Sequence, residues 1–190
     1  RSDRPAASWL ETVSDADSAI SVQRRSDGVT EIDGLLLIET QGETAQALAN
    51  RYGQPVVVCD RQEGDVAVIA VAASNPASAN RKAVWHLQQQ GKRVLQVADY
   101  PGLLIWRTVA MIVNEALDAL QKGVASEQDI DTAMRLGVNY PRGPLAWGEQ
   151  LGWQRLLRLL ENLQRHYGEE RYRPSSLLRQ RALLESSYES

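Results

Sequence analysis

Few residues in this chain are of a type and spacing that could do polar chemistry. Arg107, planted inside the apolar stretch "GLLIWRTVAMIV", is the most conspicuous of them. A guanidinium in an apolar stripe needs hydrogen-bonding partners, because an unpaired buried charge is costly. Acid–base catalysis would most cheaply use one of the two histidines. His86 lies in "KAVWHLQQQ", and His166 stands near the C-terminal end of another helical stretch, where the helix dipole favours a cation. Neither has a carboxylate at a sequence distance that makes a dyad, so both read as structural. Cys59, after Val58 in an apolar run, reads as a small core residue and not as a nucleophile. Two His and one Cys so far apart do not make a zinc site, and no Gly-x-Ser-x-Gly elbow occurs. The expectation is no catalytic residue and no metal in this chain.

The elements that must position these residues differ between the two halves. From Ser18 to Asp99, "GLLLIET", "PVVVCDR", "DVAVIAVAAS" and "KRVLQVAD" are strand-length apolar runs of the kind buried parallel strands require. Between them, "ETAQALANRYG" and "NPASANRKAVWHLQQQG" have helical spacing and end on Gly53 and Gly91. Asn75 before Pro76 predicts an N-cap followed by Pro at the first helical position. This alternation predicts a small α/β layer with right-handed crossovers. Such a layer invites a nucleotide, but a dinucleotide needs closely spaced glycines after the first strand. No G-x-G and no P-loop is present, and Thr40-Gln41-Gly42 offers one glycine. No cofactor is expected in this chain.

From Pro101 onward the strand signals stop. A helix is predicted from near Leu103 to Lys122, with Ile105, Val109, Ile112, Ala116 and Leu120 along its buried stripe. Ser126-Glu127-Gln128-Asp129 predicts the capped start of a short helix closing at Gly137. The segment "VNYPRGPLAWGEQLG" reads as a loop. Trp153, Leu156, Leu157, Leu160, Leu163 and Tyr167 then fall at helical spacing, and "RPSSLLRQRALLES" is a last helix with Pro174 near its first turn. The expected fold class is therefore α/β followed by all-α, with a reduced α/β segment over 1–99 and a helical domain over 100–190.

Composition narrows the setting. The net charge is -3, with no global pull toward nucleic acid or an anionic membrane. The longest apolar run, Leu103 to Val113, is broken by Arg107 and Thr108 and falls short of the roughly 18 residues a spanning helix needs. A lone Cys59 allows no intrachain disulfide and points to a reducing compartment, so a cytoplasmic location is expected. Residue 1 is Arg and not Met, which reads as a chain that is processed, engineered or a piece of something longer.

The order of features after residue 92 resembles the C-terminal helical domain of the NAD-dependent 3-hydroxyacyl-CoA dehydrogenases. In that family a Pro-Gly turn enters a long helix carrying an Asn-Arg pair. A "Gly-Val-Ala-(Ser/Thr)-x-x-Asp-Ile-Asp-x-Ala" element and a Gly-Pro loop follow. Pro101, Gly102, Arg107, Glu115, Ala116, Gly123, Asp129, Asp131, Gly137, Gly143, Pro144 and Gly152 fall where that pattern puts them. "RYRPSSLLRQRALLES" resembles the family's "Arg-Tyr-x-Pro-x-x-Leu-Leu" segment. The departures matter as much. Trp106 occupies the position of the family's catalytic Asn, and an indole offers one donor and no acceptor. The family's His-x-x-Asn-Pro motif has no counterpart, since Asn75-Pro76 lacks the preceding His. Glu149 stands where an Asp is usual.

The resemblance implies the reduced Rossmann-like layer and second helical repeat of a long dehydrogenase, of the kind found in phenylacetate breakdown. The parent would oxidise a 3-hydroxyacyl-CoA to the 3-ketoacyl-CoA with NAD, using a His and a Glu in a missing N-terminal catalytic portion. This chain would be an inactive scaffold, a partner of that portion and a homo-oligomer contact through its helical domain. An alternative is an acyl-CoA-binding module, with Arg107, Asn139 and Arg142 near the phosphates or pantetheine, where Arg suits bidentate hydrogen bonding. A free-standing enzyme with its site in the "VNYPRGPLAWGEQLG" loop is the third reading, and turn chemistry accounts for that loop's prolines and glycines more simply.

Overall fold

The computed structural model describes residues 21–25, 29–61 and 64–188. They fall into two compact units that divide between Trp106 and Arg107. The first holds a six-stranded sheet in chain order: β1 (Val22–Arg24), β2 (Thr30–Ile32), β3 (Leu35–Glu39), β4 (Val56–Cys59), β5 (Val66–Val71) and β6 (Arg93–Gln96). Helix α1 (Ala45–Tyr52) joins β3 to β4, and α2 (Ala77–Gln89) joins β5 to β6.

The apolar runs are continuous because both faces of the sheet are covered. Leu35, Leu37, Val57, Cys59, Ala67 and Ile69 point to the face packed by Ala79, Ala83 and Leu87 of α2. Leu36, Ile38, Val56, Val58 and Ala70 point to the opposite face, covered by Ala45, Leu48 and Ala49 of α1 and by Leu103. Alternate residues of a strand serve alternate faces, so two cores need apolar residues at every position.

The sheet is mixed, which corrects the parallel expectation. β3–β4 and β5–β6 are parallel, while β4–β5 is antiparallel because no helix separates those two strands. β1 and β2 extend the sheet antiparallel to β3. The β2–β3 turn is Asp33-Gly34, both at positive φ, 46° and 77°, as a two-residue hairpin turn requires. "KRVLQVAD" does not form a buried strand. β6 is the sheet edge, and Leu95 is half exposed. Nor does Asn75 cap α2. Its side-chain oxygen accepts from the Val56 N–H (3.0 Å) and its amide donates to the Val56 carbonyl (2.8 Å), tying the loop to β4.

The second unit is helical: α3 (Ile105–Gln121, its first two residues belonging to the first unit), α4 (Glu127–Gly137), α5 (Pro144–Leu151), α6 (Trp153–Tyr167) and α7 (Ser176–Tyr188). Ser126 caps α4 as its sequence predicts, accepting from the Asp129 N–H. The segment read as a loop contains α5. What the local sequence lacked is supplied by α4: the Asp131 carboxylate accepts the N–H groups of Leu145 (2.7 Å) and Ala146 (3.0 Å). Gly143 permits this approach, since a Cβ there would collide with the Asp131 side chain. The buried stripe of α3 is also shifted from expectation, running through Trp106, Val109, Ala110, Val113 and Leu117, with Ile112 outside it. Within that stripe Asn114 clamps the chain before α7, donating to the Arg173 carbonyl (3.0 Å) and accepting from the Ser175 N–H (2.8 Å). Among the described residues no helix is long and apolar enough to cross a membrane.

Candidate functional site

Ligands of open α/β sheets bind outside the carboxyl ends of the strands. In the first unit, β3 and β4 run parallel and end in register at Glu39 and Cys59. Asp60 follows and is fully buried. One of its oxygens accepts the N–H of Leu104 (2.8 Å) and of Ile105 (2.7 Å), and the other those of Trp106 (2.9 Å) and Arg61 (2.7 Å). These are the orphan donors of the start of α3, and a carboxylate there also suits the helix dipole. The turn before it places Gly102 and Leu103 at φ 77° and 48°. Leu103 is buried in the α1-side core, which holds this uncommon backbone in place.

Two further contacts close this end of the sheet. The Trp106 indole N–H donates to Glu39 Oε1 at 2.7 Å, and the Arg61 guanidinium carbon lies 5.6 Å from the centre of the indole ring. At the start of α1, the helix that follows β3, the Asp99 carboxylate accepts the N–H groups of Ala45 (2.7 Å) and Gln46 (2.9 Å). Thr44 accepts from Ala47 at the same helix end. A dinucleotide does not fit these residues. The helix start that would meet its pyrophosphate is already bonded to a carboxylate, which also repels phosphate.

In the helical unit the notable feature is apolar. A cavity of about 560 Å³ opens between α3, α4 and the start of α5, lined by Met111, Ile112, Ala116, Ala119, Met134 and Pro144 among others. Both methionines of the chain lie there. Helix α4 has no buried residue, and its Leu136 is 77% exposed.

The residues singled out from the sequence are distributed as follows. Trp106 is buried, at 2% exposure. Arg107 is half-buried near the start of α3, whereas Asn139 and Arg142 share one exposed segment between α4 and α5, Asn139 at φ 57°. His86 is buried on α2, its Nε2 3.0 Å from the Gln90 amide nitrogen, and burial lowers its pKa. His166 is exposed and stacks edge-on to Tyr167. Cys59 is wholly buried, and its thiol pKa is pushed well up by burial. Among the described residues no group of three His, Cys, Asp or Glu could hold a metal. Asp60 and Asp99 escaped sequence reading, and Asp131, matched there only as part of the family pattern, was not read as the cap of α5. Asp60 and Asp99 each stand at a strand's carboxyl end and reach helix starts 44 or more residues away.

The fold and site define a class: an α/β layer whose β3 and β4 ends are closed by its own carboxylates and indole, followed by a helical domain. Residues 37–101 match the family model of the 3-hydroxybutyryl-CoA dehydrogenase reduced Rossmann-fold domain. Residues 102–187 match that of the 3-hydroxyacyl-CoA dehydrogenase C-terminal domain. The whole chain is 76% identical to the 3-hydroxyadipyl-CoA dehydrogenase of Escherichia coli, of which it spans 40%. Over 92 residues, 48% of the chain and 32% of the relative, it is 38% identical to a probable 3-hydroxybutyryl-CoA dehydrogenase of Bacillus subtilis. It superposes with a TM-score of 0.87 on the crystal structure of a 3-hydroxybutyryl-CoA dehydrogenase from Escherichia coli K12, at 76% identity, covering 98% of this chain and 40% of that one. Two consecutive stretches of the chain thus match the reduced Rossmann-fold and C-terminal domains of 3-hydroxyacyl-CoA dehydrogenases.

Proposed function

We propose that this chain is the C-terminal part of an NAD-dependent 3-hydroxyacyl-CoA dehydrogenase and serves that enzyme as a non-catalytic scaffold and oligomerisation domain. The observation that carries the reading is the consecutive match of residues 37–101 and 102–187 to two family domains, within a chain that spans 40% of its 76%-identical relative. The parent's chemistry, oxidation of a 3-hydroxyacyl-CoA to the 3-ketoacyl-CoA with NAD, is assigned to an N-terminal catalytic portion. Residues 1–99 are the reduced α/β segment and 100–190 the helical domain. A cytoplasmic setting and a place in fatty-acid or phenylacetate breakdown belong to the same proposal.

Two features support the scaffold role. Trp106, which by resemblance occupies the position of the family's catalytic Asn, has its indole N–H committed to Glu39. The open apolar groove of α3 and α4 is of a kind that isolated soluble domains seldom leave uncovered. Its proposed cover is another helical domain, from the parent or from a second copy.

The second reading, an acyl-CoA-binding contribution from Arg107, Asn139 and Arg142, is favoured by the exposure of the last two on one loop. NADH oxidation with acetoacetyl-CoA, measured on this chain alone, tests the first reading, and no turnover is expected. Enzyme-dependent turnover refutes it. Calorimetric titration with CoA separates the readings, because binding weakened by Arg142→Ala favours the second.

A further inference from the structure

We propose that the Trp106 indole is a built-in ligand. It fills a slot at the carboxyl ends of β3 and β4 that takes a flat nitrogen heterocycle once the side chain is cut back. Wild-type protein is on this account closed to nucleotides by its own residues. The inference concerns the first unit alone and stands whether or not the parent is a dehydrogenase.

The slot has the parts a heterocycle site needs. At the edge of the ring, Glu39 presents an acceptor, and the indole N–H meets it at 2.7 Å. Near the ring face lies the Arg61 guanidinium, 5.6 Å from the ring centre, in range of a cation–π contact. The occupant is almost wholly buried, so water is excluded from this end of the sheet. Its backbone is pinned as well, since Asp60 holds the N–H groups of residues 104 to 106.

What a phosphate would need is also taken. Asp99 lies on the first turn of α1 at 2.7 and 2.9 Å, an internal anion at the helix end that follows β3. An aromatic donor and a carboxylate thus stand together at the mouth where an open α/β sheet binds its ligand. The layer keeps its sheet and its first helix, and its own linker, residues 99–106, supplies the groups that close it.

The probe is indole, with 1-methylindole as the matched control that lacks the N–H. In Trp106→Gly, indole should raise the melting temperature and bind about tenfold or more tightly than 1-methylindole, because a hydrogen bond to a charged acceptor is worth at least that factor. Wild-type protein should respond to neither compound, nor to millimolar ADP. In Trp106→Gly with Glu39→Leu, the two indoles should bind alike. A folded Trp106→Gly that ignores indole, or that prefers neither compound, overturns the proposal, as does ADP binding to the wild type. Should Trp106→Gly not fold, hydrogen exchange of the wild-type indole Nε1–H decides. Exchange slowed to the rate of unfolding supports a filled, dry slot, and exchange at the rate of free indole overturns it.

Discussion

Removing the Asp60 carboxylate should loosen the start of α3 more than any other single polar deletion in the first unit. Asp60 is fully buried and satisfies three consecutive N–H groups, of residues 104 to 106, besides that of Arg61. In Asp60→Ala those donors must find water or go unpaired. Leu104 is 36% exposed and Ile105 half-buried, so water can reach their amides at a cost of about 0.5 kcal/mol each, the low end for a lost cap. Trp106 is 2% exposed, and its amide would be left dry, at about 2 kcal/mol. The total is about 3 kcal/mol, or a fall of roughly 6–12 °C in melting temperature for a chain of this size. Asp60→Asn keeps one acceptor oxygen and should lose about half as much. Urea unfolding followed by circular dichroism and by Trp fluorescence measures both, and coincidence of the two signals checks that the units unfold together. A loss below about 0.5 kcal/mol in Asp60→Ala would refute the reasoning, because other groups would then be capping α3.

Three further outcomes follow from the geometry. Gly143→Ala drives a methyl into the Asp131 side chain, Cβ included, and should cost about 1–3 kcal/mol, while in an Asp131→Gly background it should cost little; additive losses in the double variant would contradict the contact. Burial lowers the pKa of His86, so the folded chain binds fewer protons than the unfolded one just below the ordinary value of 6.5. The stability tied to neutral His86 is therefore complete above that pH and falls as acid is added, and His86→Leu should flatten the loss between pH 7.5 and 5.5; parallel curves would dismiss this. Cys59, buried with its thiol pKa pushed well up, should ignore a disulfide reagent at pH 8 until urea unfolds the chain, and rapid native labelling would show the site to be open.

Much of the fold was legible because its determinants are local. Helical spacing closed by Gly53 and Gly91 and the Ser126 cap act within a few residues of where they stand and formed as the sequence predicts, and the apolar runs became strands, though not all of them parallel or buried. The Asp33-Gly34 hairpin carries an equally local signal, an Asp-Gly pair before an apolar run. Helix α5 was not legible. Its Gly-Pro start looks like a turn, and its capping carboxylate arrives from Asp131 on another helix. Asn75 misled for the opposite reason. Next to Pro76 it has the form of an N-cap, but the Val56 peptide 19 residues away is the partner its side chain finds.

The same division holds at the site. Sequence by itself determined that no glycine-rich loop is present, that an indole stands before Arg107, and that an α/β half is followed by a helical half. These are statements about which residues follow which. Tertiary structure alone decided that Glu39 receives the indole N–H, that Asp60 caps α3 from 44 residues away, and that Asp99 covers the start of α1. A carboxylate carries no sequence signal for the distant amide it will meet. Only the order and register of β3 and β4 bring Glu39 and Asp60 to one end of the sheet, where the returning chain presents its N–H groups to them.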